Sequence, residues 1–226
     1  AINVNYLSSN KTLKGLFQSG VQYVNNANQN DHTYAPAEAQ RLIKQLGYTR
    51  NGDGYFEKDG KVLSLKLALQ TDEFPEWKMK AEIMQQALKK AGIKLDINVL
   101  DAQTYYETLT VRKDFDLIYY RSYTNGLMPY NFLNARFKQN GKQPGAFADN
   151  QKLTSMIEQF PTIINTHQQQ QAFNRLSNYI DSQYLAVPIA YPNETFVTSP
   201  KIKDFDFSGQ TDAPINFDKL KVSNHD

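Results

Sequence analysis

The fold is decided by residues 61–101, KVLSLKLALQTDEFPEWKMKAEIMQQALKKAGIKLDINVLD. The first ten residues alternate: after Val62 come Leu63, Leu65, Leu67 and Leu69, separated by Ser64, Lys66 and Ala68. A period of two is that of a strand, here with one buried face. From Phe74 the period changes. Trp77, Ala81, Ile83, Met84, Ala87 and Leu88 recur at helical spacing, and Gly92 supplies the left-handed stop that ends many helices. Alternation resumes with Ile93, Leu95, Ile97 and Val99. Asp101 then stands as an N-cap before AQTYYETLTVRKD (102–114), a second helix, and FDLIYYRSY (115–123) reads as a third strand. Strand–helix–strand–helix–strand predicts an α/β layer with parallel neighbours and right-handed crossovers.

Working outward toward the N-terminus, residues 10–19 predict a short helix from Leu13, Leu16 and Phe17, with Gly20 as its stop. NNANQNDHTY (25–34) is a loop by composition. Pro36 opens a helix that carries Ala39, Leu42, Ile43 and Leu46 on one face and ends at Gly47. TRNGDGYFEKDGK (49–61) superficially resembles a calcium loop. With Gly54 at the sharp turn, however, the first and last ligand positions fall on Thr49 and Gly60, and neither is a carboxylate. Two tight turns of a hairpin are predicted instead.

Toward the C-terminus, the chain passes an Asn-Gly turn and Pro129, then re-enters a helix-like pattern. A glycine-rich loop (138–150) leads to two helices, QKLTSMIEQF (151–160) and THQQQQAFNRLSNYIDSQ (166–183). YLAVPIAY (184–191) and TFVTSP (195–200) read as closing strands, and the tail 201–222 as irregular chain lying along another part of the molecule.

Composition narrows the function. The chain has 226 residues, enough for one large domain or two small ones without disulfides. Its 25 basic and 23 acidic side chains leave a net charge of +2, too small a field to gather nucleic acid or an anionic membrane. Cysteine is absent, which rules out disulfides, thiolate metal sites and a cysteine nucleophile. No apolar run approaches the length of a membrane span. The sequence opens in mid-pattern without an initiating Met, so a fragment of a longer protein, cut from its N-terminal part, is expected.

Catalytic patterns are few. His32, His167 and His225 have no partner at metal-ligand spacing, and no serine elbow or glycine-rich phosphate loop is present. Asp114/Asp116 and Asp204/Asp206 imitate acid/base couples, but turn and cap roles for Asp are commoner. No enzyme activity and no resident cofactor are expected. The richer stretch is YYRSYTNGLMPYNFLNARF (119–137). In α/β sheets ligands bind outside the carboxyl ends of strands, and Tyr119–Asn125 lies at such an end. Alternation puts Tyr119, Arg121 and Tyr123 on one face, with Tyr120 and Ser122 on the other. Aromatic rings and a guanidinium fork suit a small charged or amphipathic ligand. They equally suit a packed sheet corner with an Arg ion pair, and the residues alone leave both open.

The order of motifs carries a resemblance. PAEAQRLIKQLGY, DGYFEKDGKVLSLKLAL, AEIMQQALKKAGIKLDINVLD, YYETLTVRKDFDLIYYRSY and the closing QQQQAFNRLSNYIDSQYLAVPIAY resemble, in that order, the C-terminal lobe of the peptide/nickel class (family 5) of ABC-importer solute-binding proteins. Within that class the chain is similar to the nickel and metallophore binders of Gram-positive bacteria. The resemblance implies an α/β, periplasmic-binding-protein-like lobe (class II, cluster C) with a mixed β-sheet flanked by helices. It implies residues 1–200 as the lobe and 201–226 as a tail returning toward a first lobe that this segment largely lacks. The implied function is capture of a nickel chelate, metallophore or oligopeptide and delivery to a membrane permease. It would act on the extracellular face, lipid-anchored through the missing N-terminus. The same lobe pair is also fused to DNA-binding heads, so a cytoplasmic ligand-sensing regulator is the alternative expectation.

In nickel binders of the class a TWG.PYDPH-like segment follows the third strand, where this chain has SYTNGLMPYNF. Tyr123 falls at the Trp position and Pro129 at the proline. Leu127 and Met128 stand where Tyr and Asp are expected, and Tyr130 replaces the His or Gln. The implied ligand contacts are Tyr119, Arg121, Tyr123, Asn125, Met128 and Tyr130, with no protein-held metal and with nickel only as part of a transported chelate.

Overall fold

The computed structural model describes residues 14–30, 34–121, 129–140, 145–147, 149–189, 197–207 and 215–222. The chain divides into two compact units, one built on residues 32–121 and the other on residues 6–31 and 122–226.

The first unit follows the alternation of its sequence. Helix α1 (Pro36–Gln45) starts on the proline and leads into a short antiparallel meander of β1 (Thr49–Arg50), β2 (Phe56–Lys58) and β3 (Lys61–Val62). The two tight turns are there. Asn51 Oδ1 accepts from the amides of Asp53 (3.1 Å) and Tyr55 (3.0 Å), and Asp59 and Gly60 both take positive φ between β2 and β3. β4 (Ser64–Gln70) then runs parallel to β5 (Lys94–Leu100) on one side and to β6 (Leu117–Ile118) on the other, so the sheet order is β5-β4-β6. The crossovers are α2 (Glu76–Ala91) and α3 (Ala102–Glu107), the latter continued by a π-helical turn over Thr108–Arg112.

The meander is joined to the sheet through backbone. Phe56 donates to Gly92 (2.7 Å), Leu63 to Phe56 (2.7 Å) and Lys94 to Leu63 (3.0 Å). Gly92, the C-cap of α2, has φ +87, and a Cβ there would lie 2.7 Å from Cδ2 of the fully buried Phe56. Glycine therefore serves both the left-handed stop and the close approach.

The second unit is helical around an aromatic core. It contains α4 (Pro129–Arg136), α5 (Gln151–Gln159) with a 3₁₀ turn over Phe160–Thr162, and α6 (Thr166–Ser182). Phe173 on α6 lies 6.0 Å from Phe17, 5.5 Å from Tyr23 and 6.1 Å from Phe160, centroid to centroid. The polar loop is laced to α6 by amide side chains. Asn28, buried, donates to Tyr23 O (2.7 Å) and Asn174 Oδ1 (2.7 Å), and Gln170 Nε2 donates to Tyr23 O (2.6 Å). Asn178 donates to Ala27 O (2.9 Å) and Asn30 to Asp181 (3.0 Å). The glutamine run thus supplies tertiary hydrogen bonds.

Several sequence expectations are corrected. Residues 14–19 form bends and turns rather than a helix, because Gly15 takes φ +75 and packs against the backbone of Asn28 and Gln29. β4 is central, so Leu67, Ala68, Leu69 and Gln70 are all buried instead of one face only. Among the described residues, the ladder of the third strand is confined to Leu117–Ile118. Residues 184–189 and 197–199 are not strands, and among the described residues they have no ladder partner. The tail is not irregular. β7 (Ile202–Phe207) pairs antiparallel with β8 (Ile215–Val222), supported by cross-strand pairs Asp206–Lys219 (2.7 Å) and Asp204–Lys221 (3.4 Å).

Candidate functional site

The carboxyl ends of β4, β5 and β6 all belong to the first unit, and the segments that follow them contribute the rings of one aromatic cluster. β4 ends at Gln70, and the loop into α2 brings Phe74 and Trp77 into a stack with centroids 4.1 Å apart and planes 18° apart. Trp77 sits on the first turn of α2, with its amide bonded back to Phe74 O (3.0 Å). Its ring lies 6.0 Å from Tyr105 on α3 and 5.8 Å from Tyr119, which follows β6. Phe74, Trp77, Tyr105 and Tyr119 are all buried. Such a cluster fixes geometry through area and edge-to-face contacts.

Two loops are tied together around it. Asp72 Oδ2 accepts from the amide of Ala102 (2.8 Å), the first residue of α3. Glu73 accepts from the Tyr106 hydroxyl (2.9 Å) and from the buried Gln70 amide (3.1 Å), while its own amide donates to Gln70 Oε1 (2.8 Å). Asp101 caps α3 as expected, accepting from the Thr104 amide (2.9 Å) and hydroxyl (2.6 Å). The Thr104 hydroxyl, followed by its amide, holds the Asp101 carboxyl below the usual aspartate value. Beside the cluster on α2, Lys80 is only 3% exposed and pairs with Glu76 at 3.1 Å.

β6 is held at both ends. Asp116 Oδ2 accepts from the amide of Lys66 (2.7 Å), and the Asp116 amide donates to Lys66 O (3.0 Å). Two residues beyond Leu117, the Tyr119 amide donates to Ala68 O (3.1 Å), and Tyr119 O accepts from the Tyr105 hydroxyl at 2.5 Å. Arg121 follows, half-buried, with its guanidinium carbon 5.9 Å from the Phe74 centroid.

Of the ligand contacts expected from sequence, Tyr119 and Arg121 therefore join one cluster. Tyr130 belongs to the second unit, where it stacks on Phe160 at 5.4 Å and 23°. Tyr123, Asn125 and Met128 lie outside the described residues. The two aspartate pairs have other partners. Asp114 pairs with Arg112 (2.7 Å), whose hydrogen bond lowers its pKa, and Asp116 holds the Lys66 backbone. Asp204 and Asp206 are the hairpin ion pairs described above. Among the described residues no group of three His, Cys, Asp or Glu comes together as a metal-binding set, and no helix is long and apolar enough to cross a membrane.

Sequence reasoning missed Tyr105 and the Gln70–Glu73–Tyr106 bridge. Both join segments far apart in the chain, and only the tandem tyrosines on a predicted helix, with Leu109 one turn beyond Tyr105, hinted at them.

The fold has known counterparts. The chain is similar to NikA from Brucella suis in complex with Fe(III)-EDTA, with a TM-score of 0.73 and 22% identity over 93% of this chain and 42% of that one. It is similar to the oligopeptide-binding protein AppA from Bacillus subtilis in complex with a nonapeptide (TM-score 0.70, 16% identity, 93% and 43%). An ABC transporter substrate-binding protein from Sinorhizobium meliloti also matches (0.69, 20%, 93% and 41%). The chain spans about two-fifths of the length of these structures. At these identities the likeness is one of fold, the α/β architecture of the periplasmic-binding-protein-like class. In sequence, residues 2–144 match the model of the bacterial extracellular solute-binding proteins, family 5, middle region. That segment contains α1, the meander, the whole parallel sheet and both crossovers, and the chain accordingly belongs to the family 5 bacterial extracellular solute-binding proteins.

Proposed function

We propose that this chain captures a carboxylate-bearing solute, either an oligopeptide or a nickel chelate or metallophore, and hands it unchanged to an ABC permease. Arg121 is the observation that carries the reading. It is half-buried just beyond the carboxyl end of a parallel strand, over an aromatic ring. Ligands of open α/β sheets enter at that end, and a planar guanidinium fork matches a carboxylate in shape and charge. Family membership supports the same reading. So do the ligands named for two structures of similar fold, Fe(III)-EDTA and a nonapeptide, since both carry carboxylates.

In this proposal the protein works on the extracellular face of the membrane, lipid-anchored through a segment outside this chain, and performs no chemistry. Residues 1–200 contribute one lobe, and 201–226 form a tail directed toward another. Tyr119, Tyr123, Asn125, Met128 and Tyr130 are proposed as further ligand contacts, each open to its own alanine substitution.

Native mass spectrometry with metal analysis, on full-length protein purified from its own host, tests the proposal. A co-purifying solute bearing at least one carboxylate is expected, with nickel if the solute is a chelate and without it if a peptide. A bound solute lacking any anionic group would contradict the reading.

A further inference from the structure

We infer that Tyr105 is a positioning residue for the proposed site, fixing through its hydroxyl the point where β6 leaves the sheet and so where Arg121 stands. The inference rests on the ligand reading of Arg121. β6 is two residues long, so its own ladder does little to define its exit. Tyr119 follows β6, and both of its backbone groups are held, the amide by Ala68 O at 3.1 Å and the carbonyl by the Tyr105 hydroxyl at 2.5 Å. The second holder comes from a different element, α3, and is buried. A hydroxyl-to-carbonyl bond shielded from water is stronger than its exposed counterpart, and its loss is not made good by solvent.

The position of this bond makes it more than a satisfied core tyrosine. Tyr119 O lies two residues before Arg121, a span of about 7 Å of extended chain. The other side of Arg121 rests on Phe74, Phe74 stacks on Trp77, and Trp77 touches both Tyr105 and Tyr119. Backbone clamp and aromatic contacts therefore close a circuit around Arg121. Removing the hydroxyl while keeping the ring opens the backbone side alone. A guanidinium set by such a circuit is preorganised for a planar partner, and preorganisation lowers the ordering cost of binding.

The test is Tyr105→Phe, followed by NMR without ligand. Amide exchange at Tyr119 is expected to rise at least tenfold, and the Arg121 Nε–H resonance to shift and broaden. Leu67 and Leu69 amides in β4 should change less than twofold, which separates local release from general destabilisation. Unchanged Tyr119 exchange together with an unchanged Arg121 resonance would overturn the inference. Failure of the underlying ligand reading looks different. Arg121→Ala would then leave affinity for Fe(III)-EDTA and for a nonapeptide unchanged while the Tyr105→Phe signature persisted, and Tyr105's link to binding would fall with that reading. Where either probe binds, Tyr105→Phe should weaken it more in the parent than in the Arg121→Ala background, because the part of its effect that runs through Arg121 is then gone.

Discussion

Arg121 and Phe74 meet with the guanidinium carbon 5.9 Å from the ring centroid, joining the chain beyond β6 to the loop that leaves β4. The two segments are far apart in sequence but adjacent in the sheet, because β6 pairs directly with β4. A cation over an aromatic face gains about 0.5–1 kcal/mol when exposed and more when desolvated. Its larger consequence here is orientation, since the ring restrains one face of the fork. In the proposed site the strand-end arginine is thus restrained before any ligand arrives.

Gly92→Ala should destabilise the first unit. The residue has φ +87, and its Cβ would fall 2.7 Å from Phe56 Cδ2. The left-handed backbone costs about 1 kcal/mol and the clash with a fully packed ring a further ~1–3 kcal/mol. Urea unfolding followed by emission of Trp77, the only tryptophan in the chain, is expected to show a clearly lower midpoint. An unchanged midpoint would mean that Phe56 can move aside freely.

Thr108→Val should stabilise. Thr108 is buried in the π-helical turn after α3, and its hydroxyl has no hydrogen-bond partner among the described residues. Valine keeps the shape and removes the unsatisfied group, for an expected gain of about 1 kcal/mol. Thermal denaturation measures it, and a fall in Tm would show that the hydroxyl does find a partner.

Asp101 gives the first unit a pH signature. Its folded pKa lies below the ordinary 3.8, chiefly through the Thr104 hydroxyl. A depressed carboxylate contributes stability that is fully present above the unfolded value and is lost as pH falls through the folded one. The difference in urea midpoint between the parent and Asp101→Ala should therefore be constant from about pH 5 to 7 and shrink below about pH 4. A difference that grew toward acid would reverse the assigned sign.

Asn28→Ala should loosen the second unit selectively. The side chain donates to Tyr23 O and Asn174 Oδ1, both at 2.7 Å, and accepts from the Asn25 amide at 3.1 Å. Leaving those groups without their partner costs about 1–3 kcal/mol. Near-UV circular dichroism of the tyrosines should register the loss while Trp77 emission does not.

Much of the first unit was legible because its periods are pure. The change from two to helical spacing and back named β4, α2 and β5, and Gly92 and Asp101 marked the turns. The strand-end rule picked Tyr119 and Arg121 for the same reason. Pattern failed where tertiary context decides. Leu13, Leu16 and Phe17 have helical spacing, but Gly15 among them takes a left-handed backbone against Asn28. α1 has a clear apolar stripe, yet Leu42 and Leu46 remain 47% and 65% exposed. The tail carries its own pairing signal. Asp204 and Asp206 share a face two residues apart, and so do Lys219 and Lys221, which is the charge pattern of an antiparallel pair. Tyr105 carried little local signal beyond its place in the tandem tyrosines, since the bond inferred to position Arg121 reaches a carbonyl fourteen residues away.

The most direct test of the central claim is calorimetric titration of full-length protein with Fe(III)-EDTA and with a nonapeptide, comparing Arg121, Arg121→Lys and Arg121→Ala. A carboxylate anchored by the guanidinium predicts that whichever probe binds loses about 10–100-fold in affinity with Ala, equivalent to about 1.4–2.8 kcal/mol. Lysine should recover part of that loss, and Trp77 emission of the free protein should change little. Equal affinity in all three proteins would contradict the claim that ligand is held at this strand end.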